Sequence, residues 1–308
     1  MRNLIVGVDG TEASLHSLAW AAETVGIAGR LHAVVSLNPW TESLVDTITG
    51  DPVGHREVIE SALVEQWTSG PGFAVGELVT SASLAAMATA LDDAARADHA
   101  DAIVVGAHRG ITGIGGVVKR IGHSTNALLR STKYPVVVVP ADVAVVGLDG
   151  GNVVVGIGHG DATRSAVRWA AHLARDRRVG IELLHALGDA PVFQADGPLD
   201  LARFEVGAVD RASWEVGRVG HFAEVMQALS GPDLDMTVST PPGLATLRLD
   251  EASDRSVLLV LGRHRSMLDR GHHTAQPLRH ALTHARCPVV VIPDHPADDL
   301  VVHPDVAL

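Results

Sequence analysis

Residues 3–22, NLIVGVDGTEASLHSLAWAA, lie over residues 152–171, NVVVGIGHGDATRSAVRWAA, without a gap, and seven of the twenty positions are identical. Further along, YPVVVVP at 134–140 recurs as CPVVVIP at 287–293, and IVVGAHR at 103–109 recurs as LVLGRHR at 259–265. A chain that repeats itself in this way is a tandem duplication, and the joint falls near 141–151, ADVAVVGLDGG. Its 308 residues suffice for two cores of ordinary domain size, about 100 to 200 residues each. The expected division is a first domain over 1–143, a second over 150–295 and an acidic tail over 296–308.

Each half reads as an apolar strand, a helix, further strands among helices, and a last strand after a proline. In the first half the strands fall at about 3–8, 31–37, 74–80, 101–106 and 135–139, near-continuous Val, Ile and Leu runs of the kind a buried parallel sheet requires. Thr11 is the expected N-cap of a helix carrying Leu15, Leu18 and Ala22, and 83–97 carries apolar residues at helical spacing. Strands alternating with helices predict a doubly wound, three-layer α/β domain with a five-stranded parallel sheet in each half.

Pro135 and Pro140 bracket one final strand, and Pro288 and Pro293 bracket the other. Short apolar strands left open at a sheet edge invite aggregation. The economical expectation is that the two edges meet across a pseudo-two-fold axis within the chain.

Composition narrows the function. A net charge of −12 argues against a nucleic-acid surface, which needs clustered Lys and Arg. A single cysteine, Cys287, excludes an intrachain disulfide and a cysteine zinc cluster and fits a reducing compartment. The opening MRNLIVGVDG enters a strand at once, with no signal-peptide pattern, and no apolar run reaches the roughly 18 residues of a membrane span. The expected location is the cytoplasm, with neither nucleic acid nor membrane as partner.

Against this acidic background one stretch stands out: VVGAHRGITGIGGVVKRIGHST, from 104 to 125, with six glycines, Arg109, Lys119, Arg120 and no carboxylate. In a doubly wound sheet, ligands lie beyond the carboxyl ends of the strands at the point where the winding reverses. Asp9 follows the first strand, where a carboxylate can accept hydrogen bonds from ribose hydroxyls. The glycine stretch follows the fourth strand and leads into a helix expected to start near Ser124. Glycines let backbone amides approach an anion, a helix N-terminus adds unpaired N–H donors, and Ser124 and Thr125 add hydroxyls. Lys119 and Arg109 offset phosphate charge. Taken singly, each feature also has a structural explanation: such loops are common, and an Asp there is most often a turn former. Their conjunction points to a nucleotide.

Weaker signals accompany these. His264, His272, His273, His280 and His284 crowd the second half, the last two at i and i+4, but a metal site needs further ligands and the simpler reading is solvated histidines. Gly158 and His159 make half of the H-x-G-H motif of nucleotidyltransferases, with Gly156 where the first histidine belongs. Residues 187–222 fit the repeat poorly and read as a linker with packed aromatics or, secondarily, a lid.

The opening IVGVDGTEAS, the run HADAIVVGAHRG and the closing GHSTNALLRSTKYPVVVVP resemble the universal stress protein family in its tandem two-domain form. The resemblance covers nearly the whole chain and implies an adenine-nucleotide alpha-hydrolase-like fold. Some members bind ATP through G-x-x-G, nine residues, then G-[ST]. Carried over, it implies that Asp9 holds the ribose, that backbone near Ser36 and Leu37 meets the adenine edge and that Gly106 and Gly122 frame the phosphates, with Val8, Arg109, Gly110, His123, Ser124 and Thr125 as the remaining nucleotide-binding positions. The distance from Gly106 to Gly122 is three residues longer than the family spacing, Arg109 moves the second glycine to Gly110, and His123 stands where Ser or Thr is expected. In the second half Gly262 and Ala275 keep the spacing, but Arg265, Ala275 and Gln276 replace the glycines and hydroxyl, and Gly158 replaces Asp9. The implied function is stress-response ATP binding, magnesium accompanying the phosphates, with one nucleotide per chain in the first half and at most weak ATPase activity. No catalytic or metal-ligating residue is assigned. The competing reading is a scaffold acting through protein contacts alone, whether as the paired repeats or as a homodimer.

Overall fold

A computed structural model describes residues 1–9, 11–26, 29–36, 73–79, 84–107, 109–112, 116–119, 121–144, 148, 150–158, 161–187, 216–217, 219–220, 223–224, 234–263 and 276–294. The first half contains β1 (Asn3–Val8), α1 (Glu12–Val25), β2 (Arg30–Ser36), β3 (Phe73–Val79), α2 (Leu84–Ala97), β4 (Ala102–Ala107), β5 (Arg109–Thr112), β6 (Gly116–Lys119), α3 (His123–Ser131) and β7 (Val136–Pro140). The second contains β8 (Asn152–Gly156), α4 (Asp161–Arg177), β9 (Gly180–Leu184), β10 (Met236–Ser239), α5 (Ala245–Ser253), β11 (Leu258–Arg263), α6 (Gln276–His284) and β12 (Val289–Pro293). The expected tail, Leu37 and most of 187–222 lie outside the described residues.

Both halves wind the same way. The five strands of the first half lie in the order β3-β2-β1-β4-β7 and those of the second in the order β10-β9-β8-β11-β12, every neighbouring pair parallel. In each, the winding reverses beside the first strand, between β1 and β4 or between β8 and β11. The two units are not separate sheets. β7 and β12 pair antiparallel through Val138 with Val289, Val137 with Val290 and Val136 with Val291, giving one ten-stranded sheet.

In the repeat, Val137 and Val290 are equivalent positions, so the central rung pairs a residue with its own counterpart and the flanking rungs exchange. This is the isologous arrangement of a two-fold dimer, here within one chain. It covers both short apolar strands, as their sequence required.

Helices cover both faces, so the central strands are largely apolar and β1 is buried at five of its six positions. Leu18, Trp20 and Ala21 of α1, with Ala166, Val167 and Ala170 of α4, share one layer with Val6, Val137, Val153 and Val290. Leu91 of α2, Leu128 of α3, Leu249 of α5 and Leu282 of α6 share the other with Ile5, Val105, Val136 and Val291. Polar contacts also cross the two-fold: Arg2 Nη2 lies 3.0 Å from Asp176 Oδ1, and Arg177 Nη2 donates to the carbonyls of Met1, at 2.9 Å, and Thr24.

Candidate functional site

The turn after β1 is built as its sequence predicts. Thr11 caps α1 by accepting from Ser14 N at 3.3 Å, and Ser14 Oγ in turn accepts from Asp9 N at 3.3 Å. Asp9 Oδ1 accepts from Thr11 N at 3.1 Å and from Thr11 Oγ1 at 2.6 Å. Asp9 therefore does what a turn-forming aspartate does, and it does so with one oxygen. Its Oδ2 takes no partner among the described residues.

The register between β1 and β4 runs Leu4–Ala102, Ile5–Ile103 and Val6–Val104. Carried forward two residues it sets the buried Val8 level with Gly106, and one more sets Asp9 beside Ala107. This is the crevice at the switch point, where the sequence placed its ligand.

The two glycines that frame the stretch have different reasons for being glycine. A Cβ on Gly106 would lie 2.4 Å from the carbonyl oxygen of Ala13 and 2.6 Å from its carbon, so α1 sits directly on this strand end. Backbone packing alone requires that glycine. Gly106→Ala is expected to force α1 outward and to lower stability by about 1–3 kcal/mol with or without nucleotide, measured by denaturant titration. Gly122 is the opposite case: its φ of −57° and ψ of 152° suit any residue, and a Cβ there would meet only Thr125 Oγ1, at 3.7 Å. Nothing among the described residues explains its missing side chain.

Gly122 is also the N-cap of α3, and among the described residues no side chain caps that end. The first N–H groups of a helix have no intrahelical acceptors, so α3 presents uncapped donors and the positive end of its dipole at the carboxyl edge of the sheet. The helix starts at His123, one residue before Ser124, and Thr125 is buried within its first turn.

Between Gly106 and Gly122 the structure departs from a simple loop. β5 and β6 pair antiparallel, Arg109 with Lys119, Gly110 with Val118, Ile111 with Val117 and Thr112 with Gly116. Arg109 and Gly110 thus belong to a ribbon that leaves the main sheet, and the three residues beyond the family spacing lie in a stretch containing it. The pairing sets the backbones of Arg109 and Lys119 opposite each other at the base of the ribbon.

The second half repeats this scaffold with other chemistry. Gly158 N donates to Thr163 Oγ1 at 3.1 Å, the counterpart of Asp9 N to Ser14 Oγ, but Gly158 carries no carboxylate. The buried His185 donates from Nδ1 to the carbonyl of Ile157 at 3.0 Å, at the position matching Val8, and Arg263 stands where the first half has Ala107.

Of the other candidate groups, His159, His264, His272 and His273 lie outside the described residues, while His280 and His284 are engaged structurally. His280 Nε2 pairs with Asp250 Oδ2 at 2.8 Å and stacks on His284 with 4.1 Å between ring centroids. Among the described residues no three His, Cys, Asp or Glu side chains gather as a metal site. Burial pushes the Cys287 thiol up to about 11, which leaves it protonated and unreactive at neutral pH. Among the described residues no helix is long and apolar enough to cross a membrane.

A doubly wound α/β unit with its crevice at a topological switch point, duplicated and fused edge to edge, defines the class of protein. The family model of the universal stress protein family matches residues 1–140 and 151–293, and the chain belongs to that family. Universal stress protein Rv2623 of Mycobacterium tuberculosis strain H37Rv is 29% identical over 168 residues, 50% of this chain and 51% of that protein. The chain thus spans about half the length of the curated relatives it matches. Among solved structures, a universal stress protein from Archaeoglobus fulgidus DSM 4304 superposes with a TM-score of 0.63 at 13% identity, over 95% of this chain and 98% of its own. The protein PA1789 of Pseudomonas aeruginosa PAO1, described as functionally unknown, superposes with a TM-score of 0.59 at 14% identity, over 97% and 94%. At such identities these likenesses concern the fold.

Proposed function

We propose that the chain binds an adenine nucleotide, ATP with magnesium, in the crevice of its first half and acts in the cytoplasm as a stress-response protein whose nucleotide is a regulatory or sensing ligand. The observation that carries the reading is Gly122, a glycine whose Cβ would make only an ordinary contact among the described residues and whose backbone angles suit any residue, heading a helix whose N-terminus no described side chain caps. A ligand phosphate approaching the backbone accounts for all three features at once. Asp9 Oδ2 then accepts from the ribose, and the basic residues of the β5–β6 ribbon offset the phosphate charge. Turnover is slow or absent, since phosphoryl transfer needs a positioned nucleophile as well as charge stabilisation.

The ribbon also favours a second reading. A two-stranded ribbon separate from the ten-stranded sheet suits contact with a protein partner, and a scaffold would need no nucleotide.

Denaturing the purified protein and quantifying released nucleotide by mass spectrometry, then titrating the stripped protein calorimetrically with magnesium and ATP, separates the two. The expected result is about one ATP per chain. Two per chain would contradict the assignment of the second half, where Gly158 replaces Asp9. No nucleotide and no heat would leave the scaffold reading.

A further inference from the structure

The strongest asymmetry between the halves, apart from Asp9 and Gly158, is at the end of the fourth strand of each repeat. IVVGAHR aligns with LVLGRHR, so the first half has a methyl group at Ala107 where the second has a guanidinium at Arg263. Arg263 ends β11 and is only 6% exposed. Its Nη2 donates to the backbone carbonyl of Thr132 at 3.0 Å, across the seam and in the other half.

Thr132 is the C-cap of α3, the helix headed by Gly122. Its N–H donates to the Leu128 carbonyl at 3.0 Å, closing the last turn. Its Oγ1 donates to Asp92 Oδ1 of α2 at 2.5 Å and accepts from Tyr134 N at 3.0 Å. Its carbonyl, beyond the helical ladder, goes to Arg263. One residue therefore ties the rear end of α3 to α2, to the start of β7 and to the second half of the chain.

We propose that Arg263 is a positioning residue through which the second half holds the phosphate helix of the first. The proposal rests on the nucleotide reading and adds its regulation. The physical case has three parts. A cation at a helix C-terminus is favourable there, and the carbonyl it binds has no intrahelical partner. A buried guanidinium is also costly to desolvate, so it holds to fixed acceptors in one geometry rather than moving among several. Finally, α3 has nine residues and is about 13 Å long. So short a helix moves as one body, held by the buried Leu128 and Leu129 along its core face and by Thr132 at its rear, with no side-chain cap at Gly122 among the described residues.

The tie runs one way. The position matching Thr132 in the second half is Ala285, and Ala107, the counterpart of Arg263, carries no group that could donate to its carbonyl. Having lost the carboxylate of Asp9, the second half contributes a side chain to the first. Because Arg263 ends β11 at the edge of the second crevice, displacement of that strand end by a partner or ligand is transmitted to the donors of α3.

The test compares Arg263→Met, Arg263→Lys and, as a control matched in melting temperature, Leu249→Ala in the core of the second half. Each full-length protein is stripped and titrated with magnesium and ATP, and amide exchange of residues 124–126 is followed without nucleotide. Arg263→Met is expected to weaken ATP binding about tenfold and to speed exchange at these amides, with Arg263→Lys recovering part of both. Leu249→Ala should do neither. Equal weakening in Leu249→Ala would reduce the effect to general destabilisation and overturn the proposal, as would unchanged affinity and exchange in Arg263→Met. If the unmutated protein binds no ATP while Arg263→Met still loosens α3, the nucleotide reading fails and the tie between the halves stands.

Discussion

Gly122→Glu is expected to melt where the unmutated protein melts and to lose nucleotide binding by at least about 100-fold. The two halves of this expectation come from different observations. Stability is spared because the backbone at Gly122 lies in a region open to any residue and a Cβ there makes only an ordinary contact, 3.7 Å from Thr125 Oγ1. A carboxylate at the head of α3 also interacts favourably with the helix dipole, so the change in folding free energy should stay within about 0.5 kcal/mol. Binding is lost because that carboxylate occupies the place of the phosphates, and like charges brought together cost several kcal/mol, of which about 3 kcal/mol already gives a 100-fold loss. Thermal melting and calorimetric titration of one preparation measure both. Retained affinity would place the phosphates elsewhere. A collapsed melting temperature would mean that Gly122 is required by the fold, as Gly106 is.

The contrast between Gly106 and Gly122 shows what the sequence discloses and what it withholds. As letters the two glycines are equivalent members of one spaced pattern. Only the packing of α1 on β4 separates them, because the distance from Gly106 to Ala13 is set by a helix almost a hundred residues earlier in the chain. Asp9 is ambiguous in the same way: the sequence allowed either a turn former or a ribose ligand, and the structure uses one oxygen for the turn while leaving the other over.

The strands of the first half were legible to within a residue, since buried parallel strands read as near-continuous Val, Ile and Leu runs, which His32 in β2 and Glu77 in β3 interrupt only singly. The pairing of β7 with β12 was legible from the prolines and the repeat together. The β5–β6 ribbon was not, because strands of four residues in a glycine-rich stretch carry no periodicity long enough to detect. Nor could the sequence reveal Arg263 reaching Thr132. An arginine in place of an alanine reads locally as loss of a small residue from a degenerate site, and the partner appears only when the two-fold brings the strand end of one half to the helix end of the other.

The same two-fold makes the seam the place where a single substitution should do most damage, and Val290→Asp is expected to leave no soluble folded protein. Val290 is fully buried on the central rung of the sheet, opposite Val137, in the apolar layer shared with Trp20 and Ala170. An aspartate there would have to ionise without a partner or remain protonated among hydrocarbon. Either costs more than about 4 kcal/mol, against a typical total stability of 5–15 kcal/mol for a domain. Damage on this rung is not confined to one half, because separating the units bares two apolar edge strands, each a template for aggregation. Val290→Ala, which removes two methyl groups and adds no charge, should cost about 2 kcal/mol, and Val137→Ala about the same. Because the two residues face each other, the double substitution should depart from the sum of the single ones. Soluble yield, circular dichroism and thermal melting decide the matter. Two separate melting transitions in Val290→Ala would mean that the halves fold independently and that the shared sheet is only a docking of two finished domains. A single transition at lower temperature, still as sharp as that of the unmutated protein, would mean that the ten strands form one cooperative unit, which is what allows a side chain in the second half to set the position of a helix in the first.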